Sequence, residues 1–494
     1  MTNDSLKERT VSGATWVAVE KWGQQAVQFL ITIIIARILS PADYGIVGIL
    51  LVFLMLSNVL IDSGFGAALI RKKEVSDVDY STVFYFNLLL SIVCYGLLYL
   101  SAPLIARFFN EPQLVAVARV LGLTVLFNAL SLIQTTILQK RMDFRPQAAV
   151  ALVSALSSGA VGVAMAYGGS GLWALVGQSL SNAALQAALY WFSGAWRPTL
   201  VFSRASLASL FSFSSKLLVS SLINVLFKSI VPLIIGKHYS TRDLGFYTQS
   251  RRLSDIPSVN TTLIVQKVSF AALATIQDDD ARLKAAYRRI IQSVVFVVFP
   301  AMLLLAAVAH PAILLLLTEK WLPAVPYLQI LVFGGMLYPL HSLTLNICQV
   351  KGRSDIFLKL EVVKKVIALF FIVAAIPFGV MALVVAETIN SIVGYFLNAK
   401  FNGDLLAYPL KEQISDIAPT LLLSAATAGI VWAFGLFVSL PLILLLASQL
   451  LIGLLLYLFL ARLFRIAALT EWHMLLRERL AALKRSAEPR GKDQ

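Results

Sequence analysis

Two short passages, Ser40-Pro-Ala-Asp43-Tyr-Gly45 and Ser240-Thr-Arg-Asp243-Leu-Gly245, stand about 200 residues apart and decide how the chain is read. Each closes one long apolar run and opens the next. In both, the Ser and Asp suit the start of a helix and the Gly suits close packing. A second pair follows in the same order and at nearly the same offset. Gly171-Leu-Trp-Ala174-Leu-Val176, with Asn182 after it, matches Gly379-Val-Met-Ala382-Leu-Val384 with Asn390. One match could arise by chance, whereas two in register define an internal repeat. Each copy spans six apolar runs, and an even number of crossings keeps the copies parallel. Parallel six-helix halves related by an axis along the membrane normal are a transporter architecture.

Composition agrees. The chain has 494 residues, 59% hydrophobic and 14% charged, with a mean hydropathy of +0.81. A soluble chain of that length would need far more surface charge, so the fold class is an all-α polytopic membrane protein. About fourteen spans are read, at 14–37, 43–62, 80–102, 113–137, 147–168, 171–192, 208–235, 243–270, 290–309, 324–349, 357–377, 380–399, 414–435 and 438–461. Grouped by the repeat, 1–195 forms an N-lobe of helices one to six and 196–405 a C-lobe of helices seven to twelve. Residues 406–462 add two helices, and 463–494 form a cytoplasmic tail with an amphipathic, basic helical pattern that suits an anionic leaflet. Residues 275–289 read as a polar connector with helical periodicity.

The net charge of +15 would suggest nucleic acid in a soluble protein, but here the loops explain it. Arg71-Lys72-Lys73, Lys140, Arg141, Arg145, Arg197, Arg204, Arg282, Lys284, Arg288, Arg289, Lys351 and Arg353 all fall on the side of Met1. The other side receives Arg37, Arg107, Lys237, Arg242 and Lys320. By the positive-inside rule both termini are cytoplasmic.

The central stretch 211–267 departs from this pattern, because its two spans carry charge. Lys216, Ser220, Asn224 and Lys228 recur every fourth residue and form a drifting polar stripe. Thr248, Arg252, Asp255, Thr262 and Gln266 share roughly a quarter of the next helix's circumference, and Pro257 predicts a bend there. Helix one adds Glu20, Lys21, Gln24, Gln25 and Gln28. Within the spans the basic residues are Lys21, Arg119, Lys216, Lys228, Arg251, Arg252, Lys267, Lys364 and Lys365; the acidic ones are Glu20, Asp255, Glu361 and Glu387. A charge at bilayer depth costs about 2.5–3.5 kcal/mol on insertion scales, so this surplus points to an anion. The plainer reading pairs Arg252 with Asp255 at i,i+3 and Glu361 with Lys364 and Lys365. Lys21, Gln24, Gln28, Lys216, Asn224, Lys228, Arg251 and Arg252 are therefore the candidate anion-binding residues, with the polar faces of helices one, seven and eight expected to meet between the lobes. Asp255 and Glu387 are candidates for ion coupling.

Enzymatic chemistry has no foothold in the sequence. His238, His310, His341 and His473 are scattered without metal spacing, and no Gly-rich nucleotide loop is present. Cys94 and Cys348 lie in apolar runs and offer no disulfide framework. No enzyme activity, cofactor or metal is expected.

Ala36-Arg-Ile-Leu-Ser-Pro-Ala-Asp-Tyr-Gly45 and Ile61-Asp-Ser-Gly-Phe-Gly-Ala-Ala-Leu-Ile-Arg71-Lys resemble the polysaccharide flippases of the multidrug/oligosaccharidyl-lipid/polysaccharide exporter superfamily. Ala274-Thr-Ile-Gln-Asp-Asp279 with Tyr287-Arg-Arg fits the same family's central region, so the resemblance covers roughly residues 10–400. It implies two pseudo-symmetric six-helix lobes of the MATE type in a bacterial inner membrane. It also implies translocation of undecaprenyl-pyrophosphate-linked oligosaccharide by alternating access, for exopolysaccharide, capsule or O-antigen. The implied partners are that lipid-linked sugar, membrane lipids, a polysaccharide polymerase and a chain-length regulator; nucleic acid is not among them. A multidrug antiporter of the same fold would need carboxylates in excess, and a lipid-linked-sugar polymerase would need a catalytic loop outside the membrane.

Overall fold

The computed structural model describes residues 3–194, 196–466 and 468–469, and these are helical with short connections. The chain packs as two compact units, Met1–Thr248 and Gln249–Gln494. The division falls inside a helix.

The first unit contains α1 (Asn3–Ile38), α2 (Pro41–Asp62), α3 (Phe65–Arg71), α4 (Asp77–Phe109), α5 (Gln113–Leu121), α6 (Leu123–Lys140), α7 (Phe144–Tyr167), α8 (Trp173–Ser193) and α9 (Arg204–His238). It also takes the first turns of α10 (Thr241–Ala274). Small residues decide the packing of α7. Ala155, Ser158, Gly159 and Gly162 are buried along one stripe, and a Cβ on Gly159 would come within 2.0 Å of Ile31 on α1. Such stripes let helix backbones approach where lipid offers no hydrophobic drive. Ser63 and Gly64, at φ 45° and 73°, end α2 where the expected second span ends, and the chain runs on as α3 to Arg71.

The second unit contains the rest of α10, then α11 (Asp280–Ala307), α12 (Ala309–Leu317), α13 (Ala324–Gly335), α14 (Tyr338–Val350), α15 (Ser354–Ala375), α16 (Val380–Leu406), α17 (Leu410–Phe437) and α18 (Leu442–Leu463). Arg288 on α11 donates to both oxygens of Asp416 on α17, each at 2.7 Å. Tyr408 and Gln292 also donate to that carboxylate, at 2.6 and 3.1 Å, and Lys284 reaches Glu412 at 2.8 Å. A forked, charge-assisted pair of this kind fixes one helix to the other. Asp416→Ala is expected to cost about 2 kcal/mol, less than a fully buried pair because Arg288 still reaches water. Thermal unfolding in detergent micelles measures it, and an unchanged midpoint would remove the network from the account of how α17 is held. The amphipathic tail lies mostly outside the described residues; Ala468 is buried beside Phe296, Leu423, Tyr457 and Ala461.

Ten helical segments among the described residues are long and apolar enough to cross a membrane, which makes this a multi-pass membrane protein. Each of the fourteen expected spans falls on a helix, but α1, α8, α10 and α15 are not among those ten. Three of these four carry intramembrane charges, namely Glu20 and Lys21, Arg251 to Asp255, and Glu361 to Lys365, while Arg119, Lys216, Lys228 and Glu387 lie on helices among the ten.

The repeat motifs explain how α2 and α10 begin. Ser40 caps α2, with Asp43 N donating to Ser40 Oγ at 3.3 Å and Ser40 N to Asp43 Oδ2 at 2.8 Å. At α10, Asp243 N donates to Ser240 Oγ at 3.0 Å and Ser240 Oγ to Asp243 Oδ2 at 2.6 Å, matching the bond from Ser40 Oγ to Asp43 Oδ2 at 2.7 Å. The two motifs then pack on one another reciprocally. A Cβ on Gly45 would lie 1.7 Å from the carbonyl oxygen of Thr241, and one on Gly245 would lie 1.9 Å from that of Pro41. Both glycines of the second repeat pair, Gly171 and Gly379, adopt positive φ just before α8 and α16.

Candidate functional site

On α1, adjacent residues face opposite ways. Glu20 is buried and accepts from Gln147 at 3.4 Å, whereas Lys21 is exposed and stands 3.6 Å from Glu20. Gln24 and Gln28 are half-buried on the same helix, which packs against α7.

Along α9, Ser214, Ser229, Val231 and Ile235 are buried while Lys216, Ser220, Asn224 and Lys228 are exposed. The helix packs its buried face on α2, α3 and α4, leaving the polar stripe open. Lys216 and Lys228 form no ion pair among the described residues.

In the charged turn of α10, Arg251 pairs with Asp255, its Nε donating to Oδ1 at 3.1 Å across i,i+4. Arg251 Nη1 also donates to Glu387 Oε1 on α16, a partner 136 positions away that no local spacing could reveal. One guanidinium thus joins both residues expected to couple ions. Arg252 is half-buried beside it. Arg251 and Asp255 are each about two-fifths exposed and Glu387 about a quarter, so the cluster is open enough to exchange partners.

These pairs redistribute the charge surplus. Glu20, Asp255, Glu387 and Glu361 all have basic partners, the last in Lys364 at 2.6 Å and Lys365 at 3.9 Å. Arg119 lies over the Tyr99 ring at 4.3 Å. Lys267 lies among the residues whose side chains are not described. The positive charge lacking a carboxylate in the described spans is therefore concentrated on the α9 stripe.

Sequence reasoning missed one polar cluster. Asn398 and Ser391 on α16 meet the two ring nitrogens of His341 on α14, at 2.9 and 3.2 Å, and Ser391 donates to Gly334 O at 2.9 Å. The seven-residue spacing of Ser391 and Asn398 puts them on one helix face, which was the available signal. Among the described residues no three His, Cys, Asp or Glu side chains are placed to hold a metal ion.

Comparison with known proteins places this geometry. The model of a family described as "Polysaccharide biosynthesis protein" matches residues 34–326. The lipopolysaccharide biosynthesis protein WzxC of Escherichia coli is 27% identical over 445 residues, covering 87% of this chain and 88% of the relative. The teichuronic acid biosynthesis protein TuaB of Bacillus subtilis is 26% identical over 449 residues, covering 88% and 90%. Among solved structures, the lipid II flippase MurJ in an inward closed conformation superimposes with a TM-score of 0.72 at 15% identity, covering 90% of this chain and 98% of that one. An inward-facing MATE-family multidrug transporter gives 0.60 at 17% identity, covering 77% and 95%. At these identities the structural matches establish the fold alone.

Proposed function

The chain belongs to the polysaccharide biosynthesis protein family, and from that premise we propose that it is a flippase. It carries undecaprenyl-pyrophosphate-linked oligosaccharide from the cytoplasmic to the outer leaflet by alternating access. The product feeds exopolysaccharide, capsule or O-antigen synthesis. It is a transporter and not an enzyme. The relatives named for lipopolysaccharide and teichuronic acid biosynthesis, and the fold shared with a lipid II flippase, support this reading.

The observation that carries it is the exposed stripe of Lys216 and Lys228, cations without a carboxylate partner among the described residues, in a helix long and apolar enough to cross a membrane. Charge held at that depth is offset when an anion binds, and a lipid pyrophosphate brings adjacent negative charges. Arg251 and Arg252 supply the planar donors suited to phosphate oxygens, Lys21 adds a further charge, and Gln24, Gln28 and Asn224 meet sugar hydroxyls. Arg251 must leave its carboxylates to do so. A proton or metal cation taken up by Asp255 and Glu387 would weaken their hold on Arg251, which ties ion binding to substrate binding. A drug antiporter would instead need those carboxylates free for cationic cargo, and both are engaged by Arg251.

The protein works in the bacterial inner membrane with both termini cytoplasmic, alongside a polymerase and a chain-length regulator. Reporter fusions after Gly169 and Lys320 are expected outside and one after Arg145 inside; a cytoplasmic Lys320 would break this topology. The functional test is a deletion strain. Lipid-linked oligosaccharide should accumulate on the cytoplasmic leaflet and surface polysaccharide should fall; normal surface polysaccharide with no accumulation would refute the flippase reading.

A further inference from the structure

A groove of about 520 Å³ lies in the first unit between α2, α4 and α9. Phe53, Leu104, Ile105, Phe108, Phe109, Leu233 and Ile234 line it, and its polar side chains are Lys237 and His238, the last residues of α9. The lining therefore runs from apolar to cationic over one helical turn, about 6 Å. Lys237 folds over the rim, donating from Nζ to the Phe108 carbonyl at 2.5 Å with its charge 4.4 Å from the Phe108 ring. Two of its three ammonium donors remain for another acceptor. No carboxylate pairs with Lys237 among the described residues, and the nearby Glu111 accepts from Thr241 at 3.1 Å. Leu104 and Phe108 are 65% and 54% exposed, so the groove opens sideways where lipid chains pass.

An apolar slot in the wall of a membrane bundle, capped at a helix end by the Lys237 ammonium and the polar ring of His238, has the polarity of one lipid molecule. We propose that it binds an anionic diacyl phospholipid, one acyl chain along Phe53, Leu104 and Leu233 and the headgroup phosphate against Lys237 and His238. Neither residue belongs to the substrate site proposed above, so the lipid is a resident of the scaffold and not cargo. Its leaflet follows from the topology, but its binding does not.

The test is native mass spectrometry of the full-length protein in detergent, supplied with phosphatidylglycerol or phosphatidylcholine of identical chains. Wild type is expected to retain phosphatidylglycerol about fivefold better, the preference of one cation near a lipid phosphate. Lys237→Gln with His238→Gln should abolish that preference. Leu233→Trp, which fills the slot and keeps the charges, should lower retention of both lipids. Equal retention of the two lipids by wild type overturns the proposal, as does an unchanged preference in the double variant. Undiminished retention in Leu233→Trp also overturns it, because the slot would then hold no chain. Retention is read without transport, so failure here leaves the flippase reading untouched.

Discussion

A single methyl group at Gly45 is expected to unseat the first unit. Gly45→Ala places a Cβ 1.7 Å from the Thr241 carbonyl oxygen, and Gly245→Ala places one 1.9 Å from that of Pro41. Backbone atoms cannot swing aside as a side-chain tip can, so the start of α10 must shift against α2. Overpacking of this kind costs about 1–3 kcal/mol per site, and rigid backbone on both sides puts each glycine at the upper end. Because the two contacts share one helix crossing, the shift that relieves one also opens the other, and the double variant is expected to fall short of additivity. Gly96→Ala and Gly429→Ala meet nothing within 4 Å and serve as controls; both should unfold with the wild type or above it, since alanine favours helix. Thermal unfolding in detergent, read by size-exclusion of fluorescent fusions, ranks the four single variants and the double. If Gly45→Ala matched Gly96→Ala, the reciprocal contact would not exist in the folded protein.

That contact also shows what the sequence could and could not express. Ser40, Asp43 and Gly45 recur as Ser240, Asp243 and Gly245, and the structure gives all six the capping and close-packing roles their chemistry suggests. Helix periodicity and apolar length are local properties, so all fourteen expected spans land on helices. Breaks were harder to read. Gly122 and Gly64 look alike in a string, yet Gly64 sits at positive φ while Gly122 stays helical and merely marks the step from α5 to α6. The polar inventory was legible because charge in an apolar helix is conspicuous, whereas the pairing was not. Arg251 and Arg252 are neighbours with similar claims on Asp255 by spacing alone, whereas the bond from Arg251 to Glu387 on α16 joins residues 136 positions apart and has no local signature. His341 was passed over for a related reason, since Ser391 and Asn398 become its partners only when α14 and α16 pack together.

Arg251 is where neutralising charge and binding substrate can be separated. Arg251→Gln leaves Asp255 and Glu387 without the guanidinium that joins them, and the loss of one member of such a cluster costs about 3 kcal/mol or more. Transport of lipid-linked oligosaccharide into vesicles should fall on the order of 100-fold. That fall alone is ambiguous, because uncompensated carboxylates could distort α10 and α16. Arg251→Gln combined with Glu387→Gln removes the imbalance on α16 and should restore insertion and membrane amount. If transport returns as well, Arg251 only neutralises Glu387 and has no part in holding pyrophosphate. If amount returns and transport does not, the guanidinium touches the substrate. Arg251→Lys then divides charge from geometry: a lysine keeps the positive charge but not the planar fork, so partial activity assigns the remainder to paired hydrogen bonds. Glu387→Gln alone completes the cycle. It loosens Arg251 permanently, so transport should lose its dependence on an imposed ion gradient while substrate still binds. Gradient dependence equal to wild type would take Glu387 out of coupling and leave it as the anchor that holds Arg251 on α16.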